Sequence, residues 1–130
     1  RHALPPMIAD KRGRVITIIS DAGRAGEGNG LEAYSAAKAG AAGLMRGVAR
    51  SVGRFGITAN AVAIATTNTP AVAGFLQDET WLKKALANYI VRRVGEPDDV
   101  AAMVLYLASD ASGWVTGQTY PVNGGFSLAL

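Results

Sequence analysis

Apolar residues occur along the chain in two patterns. Two short runs, 15–20 and 57–63, are almost continuously apolar or β-branched, whereas between them apolar residues recur every third or fourth position. A short continuous run is typical of a strand that is covered on both faces in a parallel sheet. We therefore predict buried strands over Val15–Ser20 and Ile57–Ala63, with a third, shorter strand over Thr119–Val122.

The periodic stretch between the two runs predicts one long helix over 31–55, which would connect the first two strands. Gly56 follows it, and glycine commonly ends a helix at that position. The expected buried face consists of large apolar residues at helical spacing, namely Leu44, Val48, Val52 and Phe55.

Three further helical segments are predicted. Leu4–Ala9 resembles the end of a helix, and a last helix should begin at Pro97, where Asp98 and Asp99 suit the positive end of the helix dipole. Residues from about 70 to 91 combine aromatic and leucine side chains with a few charges, and we predict that they form a mobile helical lid over a substrate. Alternating strands and helices indicate an α/β fold with three parallel strands and flanking helices, half of a doubly wound sheet.

One group of polar residues suggests proton transfer. Tyr34 and Lys38 stand four residues apart, so they share one face of the long helix. A cation one turn from a phenol favours the phenolate, and a phenol that loses and regains its proton more readily suits a general acid/base. Ser20 ends the first strand, and the loop that joins it to Tyr34 is long enough to bring the two hydroxyls together. The three residues suit a ketone/alcohol couple, although the Tyr-x-x-x-Lys spacing alone is more often a half-buried tyrosine beside a solvated lysine.

Five stretches of the chain occur in an order that is typical of one enzyme family. They are the strand Gly13–Ser20, the Tyr34 and Lys38 pair, Asn60–Ala63, the last helix at 93–110, and Val115–Gly125. The chain therefore resembles the short-chain dehydrogenase/reductase family over nearly its whole length. The resemblance implies the C-terminal, catalytic half of a Rossmann-type sheet.

This resemblance also implies a function. Members of the family are oxidoreductases that use NAD or NADP to transfer a hydride between nicotinamide and a small-molecule secondary alcohol or ketone. Ser20, Tyr34 and Lys38 match the catalytic residues: Tyr34 would exchange the proton, Lys38 would also hold the nicotinamide ribose, and Ser20 would orient the substrate oxygen. Thr67 and Thr69 match positions that meet the nicotinamide carboxamide. The long helix contributes to a subunit interface in the family, so a homo-oligomer is expected.

The chain also departs from the family pattern. The strand, Gly-rich turn and helix that cradle a pyrophosphate are missing, so residues 1–130 are expected to form one partial domain whose N-terminal half comes from a longer precursor or a separate chain. Gly28–Ala33 spells G-x-G-x-x-A, but it does not directly follow a strand, and Glu32 within it would repel a phosphate. Ile64 and Ala65 replace the Pro-Gly of the family. An alternative hypothesis is therefore a truncated, catalytically silent fragment that persists as a self-associating α/β domain.

Composition argues against several other classes of function. The chain has no Cys and one His, at position 2, so we predict no metal site and favour a reducing, cytoplasmic compartment. No apolar run reaches the ~18 residues of a membrane span, so no membrane partner is predicted. The net charge of +3 includes Arg46, Arg50 and Arg54 on one helix face, but no aromatic residues are interleaved with them. We therefore predict a solvated face and no nucleic-acid binding.

Overall fold

Three parallel strands form the sheet, as the apolar runs predict. The structure is a computed structural model that describes residues 2–128. Its strands are β1 (Gly13–Ser20), β2 (Ile57–Ile64) and β3 (Thr119–Val122), in the spatial order β1-β2-β3. Gly13 lies opposite Ile57 and Ser20 opposite Ile64, so β1 and β2 pair along their whole length and their carboxyl ends meet at one edge of the sheet.

Helices connect the strands and cover the sheet. In chain order they are α1 (Leu4–Ala9), α2 (Ala22–Ala25), α3 (Glu32–Val52), α4 (Ala73–Leu76), α5 (Glu79–Ala87) and α6 (Pro97–Ala108). A 3₁₀ turn, Gly53–Phe55, follows α3, and Gly56 ends the crossover with φ of 74°, a left-handed conformation that glycine adopts at little cost. The predicted starts and ends of the long helix and the start of α6 are thus confirmed to within a few residues.

The hydrophobic core lies between α3 and the sheet. Its buried apolar side chains come from one residue of β1 and from alternate or helically spaced positions of β2 and α3, namely Ile19, Ala42, Met45, Ala49, Ala59, Ala61 and Ala63. Because most of these side chains are alanine, the helix backbone can approach the strands closely. The strands therefore pack closely against the middle and C-terminal half of α3.

The buried face of α3 differs from the predicted one. Val52 is buried, and Val48 and Phe55 are partly buried, but Leu44 is 61% exposed. The buried stripe runs through positions 42, 45, 49 and 52, which turns Leu44 toward the side of the helix. The predicted face followed Leu44 and Val48, whereas the observed stripe combines alanines with Met45 and Val52.

The prediction that β1 is covered on both faces is confirmed only in part, because the face that carries Ile18 is partly buried. Ile57–Ala63 of β2 is buried throughout, yet Ile18 of β1 is 42% exposed while its neighbour Ile19 is buried under α3. Within residues 2–128, β1 is an edge strand with β2 on one side only. Its other edge presents backbone groups that a further strand could pair with.

Candidate functional site

The carboxyl ends of β1 and β2 border a cavity of about 540 Å³. Open parallel sheets bind ligands at this edge, because the loops after the strands surround a crevice there. Ser20 and Tyr34 both line the cavity, and Thr67 and Thr69 line it from the loop after β2. The structure thus brings residues from three of the predicted motifs to one cavity.

Aromatic side chains form much of the remaining lining. Phe75 of α4 and Trp81 of α5 lie with their ring centroids 5.7 Å apart, and Tyr89 and Phe126 lie 5.3 Å apart. All four rings border the cavity. The cavity therefore combines the hydroxyls of the predicted site with an apolar surface that suits a hydrophobic molecule bearing a polar group.

The hydroxyl of Ser20 is fixed by the backbone that follows it. The Ala22 N–H donates to Ser20 Oγ at 3.2 Å, which uses the hydroxyl as an acceptor and leaves its hydrogen available to donate. The Asp21 N–H donates to the Ile64 carbonyl at 2.8 Å and extends the β1–β2 pairing past Ser20. Ser20 is therefore supported by two paired strands rather than by a loop alone.

Tyr34 and Lys38 lie together on α3, as their spacing predicts. The Lys38 Nζ is 5.5 Å from the centroid of the Tyr34 ring. Tyr34 is 45% exposed, so its phenol is accessible from the cavity. The positive charge of Lys38 acts on the ring from one helical turn away.

Two contacts fix the loop between Ser20 and Tyr34. Gly23 packs on α3 so tightly that a methyl group there would lie 2.7 Å from both the carbonyl carbon and the Cβ of Lys38. Farther along, the Glu27 N–H donates to the Oγ of buried Ser35 at 3.0 Å. The separation of the Ser20 and Tyr34 hydroxyls therefore depends on how closely this loop packs against the helix.

A buried polar network beside Ser20 was not predicted from the sequence. Asp21 is 1% exposed and accepts hydrogen bonds from Arg24 at 2.8 Å and from the Asn123 amide at 3.1 Å. Arg24 also donates to Ser127 Oγ at 2.8 Å. The network joins the loop after β1 to the turn after β3. In the sequence, this network is indicated only by an acidic residue directly after a predicted strand, with an arginine three positions later.

The loop 65–69, which carries both predicted threonines, is bound to the segment before α6. The Asn68 N–H donates to the Gly95 carbonyl at 2.8 Å, and the Gly95 N–H donates to the Thr66 carbonyl at 3.1 Å. The Asn68 side-chain amide also donates to Glu96, at 3.2 Å and 3.3 Å to its two carboxylate oxygens. The 65–69 loop is therefore held by both its backbone and a side chain.

An ion pair supports the segment that holds this loop. Arg93 donates two hydrogen bonds to the Asp99 carboxylate, at 2.6 Å and 2.7 Å, and the Glu96 N–H donates to it at 2.7 Å. These hydrogen bonds hold the pKa of Asp99 well below its usual range. Asp99 is therefore ionised at neutral pH, where it caps the first turn of α6.

Comparison with known proteins assigns the family. A family model described as enoyl-(acyl carrier protein) reductase matches residues 1–127. The solved structure of a short-chain type dehydrogenase/reductase from Mycobacterium ulcerans has a TM-score of 0.92 and 29% identity, and the match covers 96% of this chain and 45% of that one. The chain belongs to the short-chain dehydrogenase/reductase family. The α/β interpretation and the resemblance found in the sequence are thus confirmed.

Other family members agree with this assignment. The chain is 42% identical over 123 residues to (2S)-[(R)-hydroxy(phenyl)methyl]succinyl-CoA dehydrogenase subunit BbsD of Thauera aromatica, covering 94% of this chain and 48% of that protein. It is 41% identical over 132 residues to 2,3-dihydroxy-2,3-dihydro-p-cumate dehydrogenase of Pseudomonas putida, covering 98% and 49%. A Burkholderia cenocepacia gluconate 5-dehydrogenase, solved with NADP and tartrate, has a TM-score of 0.90 and 28% identity, covering 98% and 49%. The chain spans about half the length of the family members it matches.

Three other features discussed in the sequence analysis can be located in the structure. Gly28–Ala33 follows helix α2 rather than a strand, and the Gly30 N–H donates to Glu32 at 3.4 Å, so a carboxylate lies at this turn. The three arginines at 46, 50 and 54 are exposed along α3 and the turn after it. In the part of the chain that the structure describes, no helix has the length and apolar character to cross a bilayer.

Proposed function

We propose that this chain is the catalytic portion of an NAD- or NADP-dependent oxidoreductase that interconverts a secondary alcohol and a ketone. The observation that carries the proposal is the placement of Ser20, Tyr34 and the 65–69 loop around one cavity, with Lys38 beside the Tyr34 ring. Membership of the short-chain dehydrogenase/reductase family supports the reaction class.

Each residue of the site has a distinct role in this proposal. In the reductive direction, Tyr34 transfers its phenolic proton to the substrate carbonyl oxygen. The Ser20 hydroxyl, which accepts from the Ala22 N–H, keeps its own hydrogen and donates a hydrogen bond to the same oxygen. Lys38 stabilises the phenolate that Tyr34 becomes, and oxidation reverses these steps. A bound nicotinamide supplies the hydride for the carbonyl carbon, or accepts it in the oxidative direction.

The residues present fit the nicotinamide end of the cofactor. Thr67 and Thr69 line the cavity beside the catalytic hydroxyls. The Thr67 hydroxyl donates to the Ala65 carbonyl at 3.1 Å, which leaves the Thr67 backbone for a carboxamide. Residues 2–128 contain no Gly-rich turn between a strand and a helix, so we propose that a dinucleotide-binding half, on a longer precursor or a separate chain, pairs with the free edge of β1.

The substrate is proposed to be a small hydrophobic molecule. The segment 70–91, with α4 and α5, places Phe75 and Trp81 on the cavity, and we propose that it acts as the lid. Family members whose names include a phenyl group, p-cumate or cyclohexanecarboxylate act on ring compounds. Rings of that size would pack on the aromatic lining, with the reacting oxygen toward Ser20 and Tyr34.

The test joins this chain to the N-terminal half of the Pseudomonas putida dehydrogenase, which would supply the dinucleotide-binding half. We expect the fusion to oxidise a cyclic secondary alcohol with NAD or NADP. Tyr34→Phe should then lower kcat by about 10²–10⁴-fold, the usual contribution of a general acid/base, with NADH binding unchanged. Tyr106→Phe, on the exposed side of α6, is the matched control and should retain the parental rate.

Two outcomes would contradict the proposal. A Tyr34→Phe fusion that keeps most of its turnover would exclude Tyr34 as the proton-transfer group. A folded fusion that neither binds NADH nor turns over any alcohol would instead support the alternative hypothesis, a catalytically silent self-associating domain.

A further inference from the structure

Tyr89 connects three parts of the fold near the site. It lies two residues beyond the end of α5, and its N–H donates to the Leu86 carbonyl of that helix at 3.1 Å. Its ring packs against Phe126, in the turn after β3, with 5.3 Å between ring centroids. The side chain is 5% exposed, so its position is fixed by packing as well as by hydrogen bonds.

The Tyr89 hydroxyl reaches the 65–69 loop. The Thr66 N–H donates to Tyr89 Oη at 2.9 Å, across 23 residues of sequence. At the other end of the same segment, the Val72 N–H donates to the Thr69 carbonyl at 3.0 Å. The helical segment between them is thus attached at both ends to the loop that carries Thr67 and Thr69.

The Tyr89 contact falls where the chain departs from its family. Ile64 and Ala65 stand in place of Pro-Gly, and the residue held by Tyr89 comes directly after them. A proline ring restricts the backbone at its own position, whereas neither Ile64 nor Ala65 does so. A side-chain hydroxyl bound to the next backbone N–H supplies an external restraint at the same point of the loop.

We propose that Tyr89 is a positioning residue that holds the Thr66–Thr69 backbone in the conformation that receives the nicotinamide. The proposal rests on the function proposed above, because it needs Thr67 and Thr69 to meet the nicotinamide carboxamide. The Tyr89 hydroxyl contacts the backbone of the loop itself. It acts through the loop, so its removal should weaken the nicotinamide end of the cofactor and spare the adenosine end.

The test compares two ligands on the fusion protein. NADH carries the nicotinamide ring and ADP-ribose lacks it, so the ratio of their dissociation constants isolates binding at the 65–69 loop. Tyr89→Phe keeps the ring and its contact with Phe126 but removes the hydroxyl. We expect the Kd for NADH to rise about 10-fold, equivalent to 1.4 kcal/mol, with the Kd for ADP-ribose unchanged.

A second measurement does not depend on cofactor. Amide hydrogen exchange of Thr66 in the chain should become at least about 10-fold faster in Tyr89→Phe, because its N–H loses its acceptor. Tyr106→Phe is again the matched control, since its ring is exposed on α6, and it should change neither exchange nor binding.

The outcomes separate this proposal from the function on which it rests. Equal weakening of NADH and ADP-ribose, or unchanged NADH binding and Thr66 exchange in Tyr89→Phe, would overturn the role of Tyr89. If the parent fusion bound NADH no better than ADP-ribose, the assignment of the 65–69 loop to a nicotinamide site would be wrong. The proposed role of Tyr89 would then be wrong as well.

Discussion

Gly23 offers the most direct test of how the site is assembled. It lies in α2, three residues after Ser20, and packs against the backbone of α3 at Lys38. In Gly23→Ala the new methyl carbon would lie 2.7 Å from two Lys38 atoms and 2.8 Å from the Ala39 nitrogen, where ordinary contact begins at 3.4 Å. Because these neighbours are mainly backbone, the overlap of about 0.7 Å can be relieved only by moving α2 away from α3.

The size of the effect follows from that displacement. Overpacking of this kind costs about 1–3 kcal/mol, so we expect the free energy of unfolding to fall by roughly 2 kcal/mol. For a domain of this size that corresponds to a decrease in Tm on the order of 8 °C. The same movement shifts the Ala22 N–H that fixes the Ser20 hydroxyl, and a misplacement approaching 1 Å can cost up to about 10²-fold in turnover.

Thermal unfolding followed by circular dichroism measures the decrease in Tm, and kcat of the fusion measures the loss of turnover. Gly53→Ala is the matched control, because Gly53 also has helical backbone angles, with φ of −56°, but a methyl group there would have no neighbour within 4 Å. It should raise the free energy of unfolding by about 0.4–1 kcal/mol, because alanine lowers the conformational entropy of the unfolded chain, and leave kcat unchanged. If Gly23→Ala matched Gly53→Ala in Tm and kcat, the close approach of α2 to α3 would not control the site.

Two other features give measurable expectations. The depressed pKa of Asp99 means that its ionised form stabilises the fold above the unfolded pKa of about 3.9 and that this contribution is lost as the pH falls through the folded value. We therefore expect the Tm of the parent to exceed that of Asp99→Asn by the full amount at pH 6 and by less below about pH 4. If the difference in Tm did not change with pH, the Arg93–Asp99 pair would be excluded as its cause. Exposed Leu44, beside small residues on α3, should lie in a contact between copies, so native mass spectrometry should show multiples of 13.4 kDa for the parent and mainly 13.4 kDa for Leu44→Glu. A parent that remains at 13.4 kDa, or a Leu44→Glu variant that still forms multiples, would show that this face is not the interface.

Local sequence predicted the positions of the strands well because apolar and β-branched residues are concentrated in each run, although the exposure of Ile18 was not predicted. Thr119–Val122 matches β3 fully, and Ile57–Ala63 misses only the last residue of β2. The buried face of α3 was predicted less well, since helical spacing shows which residues share a face but not how closely the strand beneath approaches. That distance depends on Ala59 and its neighbours in β2, which a helix pattern cannot reveal.

The candidate site, like the fold, could be predicted from sequence only in part. The order of Ser20, Tyr34 and Lys38 could be found from sequence because each belongs to a recognisable local motif. The contacts that hold the site could not, because they join distant segments: Asp21 meets Asn123 across 102 residues and Thr66 meets Tyr89 across 23. Such pairs leave no local pattern and appear only when the chain is folded.

The aromatic lining and the hydroxyls proposed to be catalytic come from different kinds of element. Ser20 and Tyr34 belong to β1 and α3, which pack around the core, whereas Phe75 and Trp81 belong to short helices between β2 and α6. Changes in those short helices can alter the shape of the cavity without moving Ser20 and Tyr34, the groups proposed to act on the substrate oxygen. Under the proposed function, the fold therefore allows substrate preference to diversify while the chemistry stays the same.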